Sequence, residues 1–132
     1  MKVVKAVLDT GLFERHLGET PGNPTALRTA LRTWFCYTTV FNAMELFGKA
    51  RTERQRRAVE DVLSAVKLLG MNGRNAGKFA RIAGHGGRFH ASALVAGICI
   101  EAHLPLVTDR PGEYRRYRNL RTLPIPGTVE KR

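Results

Sequence analysis

The run VLDTG at residues 7–11 ends a stretch of aliphatic residues, KVVKAVL at 2–8, with a carboxylate, a hydroxyl and a glycine in succession. A segment this short, β-branched and nearly continuous in apolar content predicts a central strand covered on both faces. Asp9 then falls at the carboxyl end of that strand, where open α/β sheets keep their ligand sites. A second run of the same kind, LPLVT at 104–108, is followed by Asp109. Two buried strands that each end in an acid, separated by helical patterns, predict an α/β fold with a mostly parallel sheet.

Working outward from VLDTG, GLFERHL at 11–17 predicts a short helix and GETPGNPT at 18–25 a surface loop. A basic helical segment at 26–32 precedes WFCYT at 34–38, a second strand by its aromatic and β-branched content. From Thr39 the spacing becomes helical, with Phe41, Met44, Glu45 and Gly48 on one face. TERQ at 52–55 has the pattern of a capping box, and Val59, Val62, Leu63 and Val66 form the stripe of the helix it opens. LLGMNG at 68–73 ends that helix or begins a strand, with a turn at Asn72-Gly73. GRNAGKFARIAGHGG at 73–87 predicts a short helix and a glycine-rich loop, and lacks the G-K-[ST] of a phosphate-binding loop. Ala91, Leu94, Val95, Ile98 and Ala102 mark an amphipathic helix. After LPLVT, RPGEYRRY at 110–117 is a short basic helix or turn, and RTLPI at 121–125 a final strand held to an edge by Pro124.

The 132 residues, 43% of them apolar, suffice for one compact domain, expected over 1–127 with a short tail at 128–132. Asp9 interrupts the first apolar run, and no later run reaches the length of a membrane span, so a cytoplasmic protein with no membrane partner is expected. Cys36 and Cys99 have no paired spacing and read as small core residues of a reducing compartment. A net charge of +11 attracts polyanions, and no Asp or Glu lies between Asp61 and Glu101. Nucleic acid is the expected partner. Arg110, Arg115, Arg116, Arg118 and Arg121 interleave with Tyr114 and Tyr117, which suits phosphate contacts with stacking on unpaired RNA bases. Arg51, Arg54, Arg56 and Arg57 read as a solvated helix face, as do Glu60 and Asp61.

Asp-Thr-Gly after two aliphatics is also how retroviral aspartic proteases present their catalytic acid. Here the residues that would have to form strands and a flap carry a helix-capping box and an apolar helical stripe, and the analogy breaks. A parallel sheet gives Asp9 another task. Asp9 and Asp109 stand at strand ends and Glu45 on a helix face with core residues; a Mg²⁺ or Mn²⁺ ion would compensate the burial of all three.

VLDTGLFERHL, FNAMELFGKARTERQRRAVEDVL, LPLVTD and LRTLPI, in this order, resemble the landmarks of PIN-domain ribonucleases, especially the VapC-type toxins of toxin–antitoxin pairs. The resemblance covers nearly the whole chain. It implies a three-layer α/β/α PIN-like domain with a central parallel sheet, and an acidic pocket that binds divalent metal and hydrolyses RNA. It also implies a small antitoxin protein as partner, with a homodimer open. Asp9, Glu45 and Asp109 match the metal-binding and catalytic acids, and Thr10 and Thr108 the hydroxyls that orient them. The match at Asp109 is offset, because the family more often carries its acid one residue on, where this chain has Arg110. At the family's third acid the chain has Ser92, a neutral oxygen and a poor ligand for a hard cation. His90 is an alternative donor better suited to Mn²⁺ than to Mg²⁺. Two functions therefore stand: a metal-dependent endoribonuclease with weakened activity, or a non-catalytic RNA-binding or assembly protein with a degenerate PIN site.

Overall fold

The computed structural model describes residues 2–18, 25–83 and 90–126. Five strands form one parallel sheet: β1 (Lys5–Leu8), β2 (Phe35–Thr39), β3 (Lys67–Leu69), β4 (Leu106–Val107) and β5 (Thr122–Leu123), in the order β3-β2-β1-β4-β5. Between them run α1 (Thr10–Gly18), α2 (Ala26–Thr33), α3 (Val40–Lys49), α4 (Glu53–Leu63), α5 (Ala76–Ala83) and α6 (Ala91–Ala102). The chain lays β2 and β3 on one side of β1, then returns through α6 to place β4 and β5 on the other. The order therefore reverses between β1 and β4, and the carboxyl ends of these two strands flank the switch-point crevice.

Two apolar cores, one on each face of the sheet, make the fold three-layered. Ala6 and Leu8 of β1 pack with Leu12, Phe13, Leu27, Leu46, Val59 and Val107. Val7 and Leu106 point the other way, towards Val95, Ala96 and Cys99 of α6. This two-residue alternation, with both sides covered, is what the near-continuous aliphatic run required. β5 is an edge strand, as Pro124 demanded, and β3 is the other edge. Among the described residues no helix is long and apolar enough to cross a membrane. The glycine-rich loop expected after α5 lies at 84–89, outside the described residues, as does the expected tail at 128–132.

Two helices differ from their expected faces. In α3 the buried residues are Asn42, Ala43 and Leu46, while Met44 is 61% exposed. Shifting a helical stripe by one residue rotates it by about 100°. Here Thr39 caps the helix and ties Asn42 to its start, which turns Asn42 rather than Met44 towards the sheet. α6 is buried on most sides, with Ala93, Val95, Ala96, Gly97, Ile98 and Cys99 all covered, because it packs on the sheet, on α5 and on α3. An amphipathic reading underestimates such a helix.

Candidate functional site

β1 delivers Asp9 to the crevice and α1 begins at the next residue, so the carboxylate is fixed between a strand end and a helix start. Its side chain is fully buried. Oδ1 accepts from the Thr10 amide at 2.9 Å and from Asn42 Nδ2 at 2.9 Å. Oδ2 accepts from Thr108 Oγ1 at 2.7 Å and from Tyr114 OH at 3.3 Å. Four internal donors turn the burial of a carboxylate from a cost into a specified arrangement.

The network continues away from Asp9. Asn42 Nδ2 also donates to Thr10 Oγ1 at 2.8 Å, and that hydroxyl donates to Glu45 Oε1 at 2.9 Å. Asn42 Oδ1 accepts from Thr39 Oγ1 at 2.7 Å and from the Thr39 amide at 3.3 Å. A helix cap, an amide, a hydroxyl and two acids thus form one chain of hydrogen bonds. Asn42 was missed in the sequence because an isolated polar residue on a helix carries no signal, although Thr39 and Asn42 have capping-box spacing.

Arg110 is the cation that pairs with Asp9. Its Nη2 lies 3.6 Å from Asp9 Oδ2, Nη1 3.5 Å from Glu113 Oε2, and Nε 4.0 Å from Asp109 Oδ1. Burial alone would lower the Arg110 pKa, but the surrounding acids, Asp9 foremost, outweigh it and raise the pKa. Tyr114 is raised too, first by burial and then by the Asp9 charge, so its hydroxyl stays a donor to Asp9.

Asp9, Asn42, Glu45, His90, Ser92, Arg110, Glu113, Tyr114 and Arg116 line a cavity of about 440 Å³. Asp109 is not among them. It lines a neighbouring cavity of about 430 Å³ with Arg15 and Thr108, and its Oδ2 lies 3.5 Å from Arg15 Nη2. Its carboxylate closely abuts Gly11, so a side chain at position 11 would have to displace the Asp109 carboxylate. Glu113 joins Asp9 and Glu45 instead; its one clue in the sequence was being the lone acid of RPGEYRRY. Glu45 also pairs with Lys49 at 3.7 Å.

A Mg²⁺ or Mn²⁺ ion does not fit this arrangement. Both Asp9 oxygens are engaged by internal donors, Asp109 faces another cavity, Ser92 is neutral and Arg110 stands beside Asp9. Among the described residues no three of His, Cys, Asp and Glu are grouped to hold a cation. His90 caps α6 without a side-chain cap bond.

The tyrosines correct an expectation. Tyr114 and Tyr117 are 3% and 6% exposed and pack with Val7, Val95 and Leu106, so their rings are not open to stack on bases. In a short turn with alternating basic and aromatic residues, the aromatics supply the core side. Arg115, Arg116 and Arg118 are exposed, and Arg116 borders the cavity over Asp9.

No protein-family model matches the sequence, and no curated protein matches it. Solved structures do. A DNA-bound VapBC structure from Salmonella typhimurium matches with a TM-score of 0.71 at 22% identity, over 92% of this chain and 98% of that one. VapBC2 from Rickettsia felis, bound to a promoter DNA fragment, matches at 0.70 and 17%, again over 92% and 98%. VapBC-5 from Mycobacterium tuberculosis, of the VapBC family of toxin–antitoxin systems, matches at 0.58 and 21%, over 92% and 99%. A five-stranded parallel sheet between two helical layers, matched over nearly the full length of these chains, gives this protein the PIN-type α/β/α fold seen in VapBC toxin–antitoxin structures.

Proposed function

We propose that the chain is a PIN-type RNA-binding protein that pairs with a small antitoxin-like partner, and whose cleft has departed from the ligand set of a metal-dependent ribonuclease. The observation that carries this reading is Arg110, whose guanidinium stands among Asp9, Asp109 and Glu113. Ser92, on the wall of the same cavity, adds no charge for a metal. A net charge of +11 and the exposed Arg115, Arg116 and Arg118 support a polyanion as ligand. The antitoxin-like partner rests on the likeness to VapBC structures.

A second reading is a Mg²⁺- or Mn²⁺-dependent endoribonuclease with the ion on Asp9, Glu45 and Asp109, and with Thr10, Ser92 and Thr108 as supporting hydroxyls. It is favoured by the bond from Thr10 to Glu45 beside Asp9 at the switch point of the sheet. One experiment separates the two. RNA binding by filter retention, in EDTA and in Mg²⁺ across a salt series, is run beside cleavage assays of wild type and Asp9→Asn. We expect metal-independent binding whose log–log salt slope is about −0.7 per phosphate contacted, made shallower by Arg115→Ala with Arg116→Ala. Mg²⁺-dependent cleavage that Asp9→Asn abolishes would establish the nuclease. Absence of RNA binding at low salt would remove RNA from both readings.

A further inference from the structure

We propose that Phe35 and Tyr37, with Lys5 and Lys67 beside them, form a stacking platform for the unpaired bases of single-stranded RNA on the face of the sheet that carries α6. The proposal rests on reading the protein as RNA-binding, and it assigns a second contact surface at the end of the sheet opposite the Asp9 cleft.

Lys5, Phe35 and Lys67 each open a strand, β1, β2 and β3 respectively. Lys5 stands beside Phe35, and Lys67 beside Tyr37, in the parallel register, so all four side chains project from one face. That face carries the core of Val7, Val95 and Cys99, against which Tyr37 is partly buried. Phe35 lies beyond this cover and is 51% exposed, although β2 is an inner strand. Its ring centroid is 5.2 Å from that of Tyr37 at an interplanar angle of 56°, and Lys67 Nζ lies 6.0 Å from the Phe35 centroid. Asp9 follows β1, about 13 Å along the strand from Lys5, so the platform is separate from the cleft.

Charge decides the occupant. Residues 1–8, 20–44 and 62–100, from which these three strands come, contain no Asp or Glu. Among the described residues Lys5 and Lys67 enter no ion pair, and Glu101, the acid that ends the last of these stretches, is held by Lys78 Nζ at 2.6 Å. A partner that covers Phe35 therefore meets positive charge without a counter-ion around a flat apolar ring. Unpaired nucleotides match both features, with a base on the ring and phosphates at the ammonium groups. The flexible stem of Lys67 lets its ammonium move from the ring to a phosphate. Tyr114 and Tyr117 pack in the same core as Tyr37, which puts the turn carrying Arg115, Arg116 and Arg118 on this side of the sheet too.

The test measures binding of a fluorescein-labelled oligoadenylate of about 12 nucleotides, by anisotropy across a salt series, to wild type, Phe35→Leu, Phe35→Trp, Lys67→Gln, and Arg115→Ala with Arg116→Ala. Phe35→Leu keeps an apolar side chain without a π-face, and should weaken binding at least about fivefold with an unchanged salt slope. Lys67→Gln should make the log–log slope shallower by about 0.7. Phe35→Trp should keep wild-type affinity, and the stacked base should quench its fluorescence beyond any change at Trp34. Wild-type affinity in Phe35→Leu, or no added quenching in Phe35→Trp, would overturn the platform. If Phe35→Leu is unfolded by circular dichroism, the quenching alone decides. A dimer in sedimentation velocity that Phe35→Leu converts to monomer, with RNA affinity kept, would give the face to a second copy instead. If the platform fails while Arg115→Ala with Arg116→Ala weakens binding, the RNA-binding reading stands without it. If wild type binds no RNA at low salt, that reading falls and the platform with it.

Discussion

Asp9 shows how a carboxylate is kept inside a small protein. Every donor it uses comes from a different place: the first amide of α1, Asn42 of α3, Thr108 after β4, and Tyr114 in the turn that follows. The shortest of these is the Thr108 hydroxyl at 2.7 Å, where an isosteric change removes the donor while keeping the volume. Thr108→Val should destabilise the protein by about 2 kcal/mol in urea unfolding, the range for a hydrogen bond to a buried charge. Thr33→Val is the control, because its hydroxyl bonds an exposed backbone carbonyl of the same helix and its loss should be nearly neutral. Similar effects of the two changes would mean that Thr108 is not holding the acid.

At the scale of the elements, α3 and α4 begin with the same device for different ends. Thr52 and Gln55 form a capping box at the exposed start of α4, and Thr39 and Asn42 form one at the buried start of α3. Thr52→Ala should cost about 1 kcal/mol, the usual price of a lost cap. Thr39→Ala should cost measurably more, because besides the cap on the Asn42 amide it removes the hydroxyl's bond to Asn42 Oδ1, which helps fix the carboxamide on Asp9 and Thr10. Thermal or urea unfolding of the two variants side by side checks the order. Equal losses would separate the cap of α3 from the acidic site.

For the whole molecule, the buried acids of highest pKa dictate how stability responds to alkali. Burial pushes the Cys36 thiol up to about 11 from its ordinary 9.0. Cys99 is raised, first by burial and then by Asp9, and Tyr114 is raised above its ordinary 10.0 by the same two causes in the same order. In each case the folded state keeps a proton that the unfolded chain releases, so the folded state binds more protons and stability falls as pH rises. The contribution is fully present below about pH 9, declines from there as the unfolded thiols ionise, and declines more steeply above about pH 10 when the unfolded tyrosine joins them. Urea midpoints between neutral pH and about pH 10.5 should move down with that onset. A midpoint unchanged over the window would contradict the retained protons.

Much of this protein is determined by local pattern alone. While the PIN-type α/β/α layering was implied by the resemblance of the ordered landmarks, the two aliphatic strands ending in acids, the helices between them and the edge position of the strand that runs into Pro124 follow from periodicity and from short motifs, because burial on one or two faces leaves a mark in the order of residues. The same holds for the placing of Asp9 at the switch point, since a strand end is a one-dimensional feature. What only the tertiary structure decided are the facts that depend on rotation and reach. Asn42, rather than Met44, faces the sheet because the Thr39 cap sets the phase of α3. Tyr114 and Tyr117 turn inward against α6. Asp109 leaves the cavity of Asp9 for a place beside Gly11 and Arg15, while Glu113 enters it. Above all, Arg110 read in sequence as a contact for RNA lies instead between three acids. A long flexible side chain can serve any of several neighbours within its reach, and only their positions in space say which.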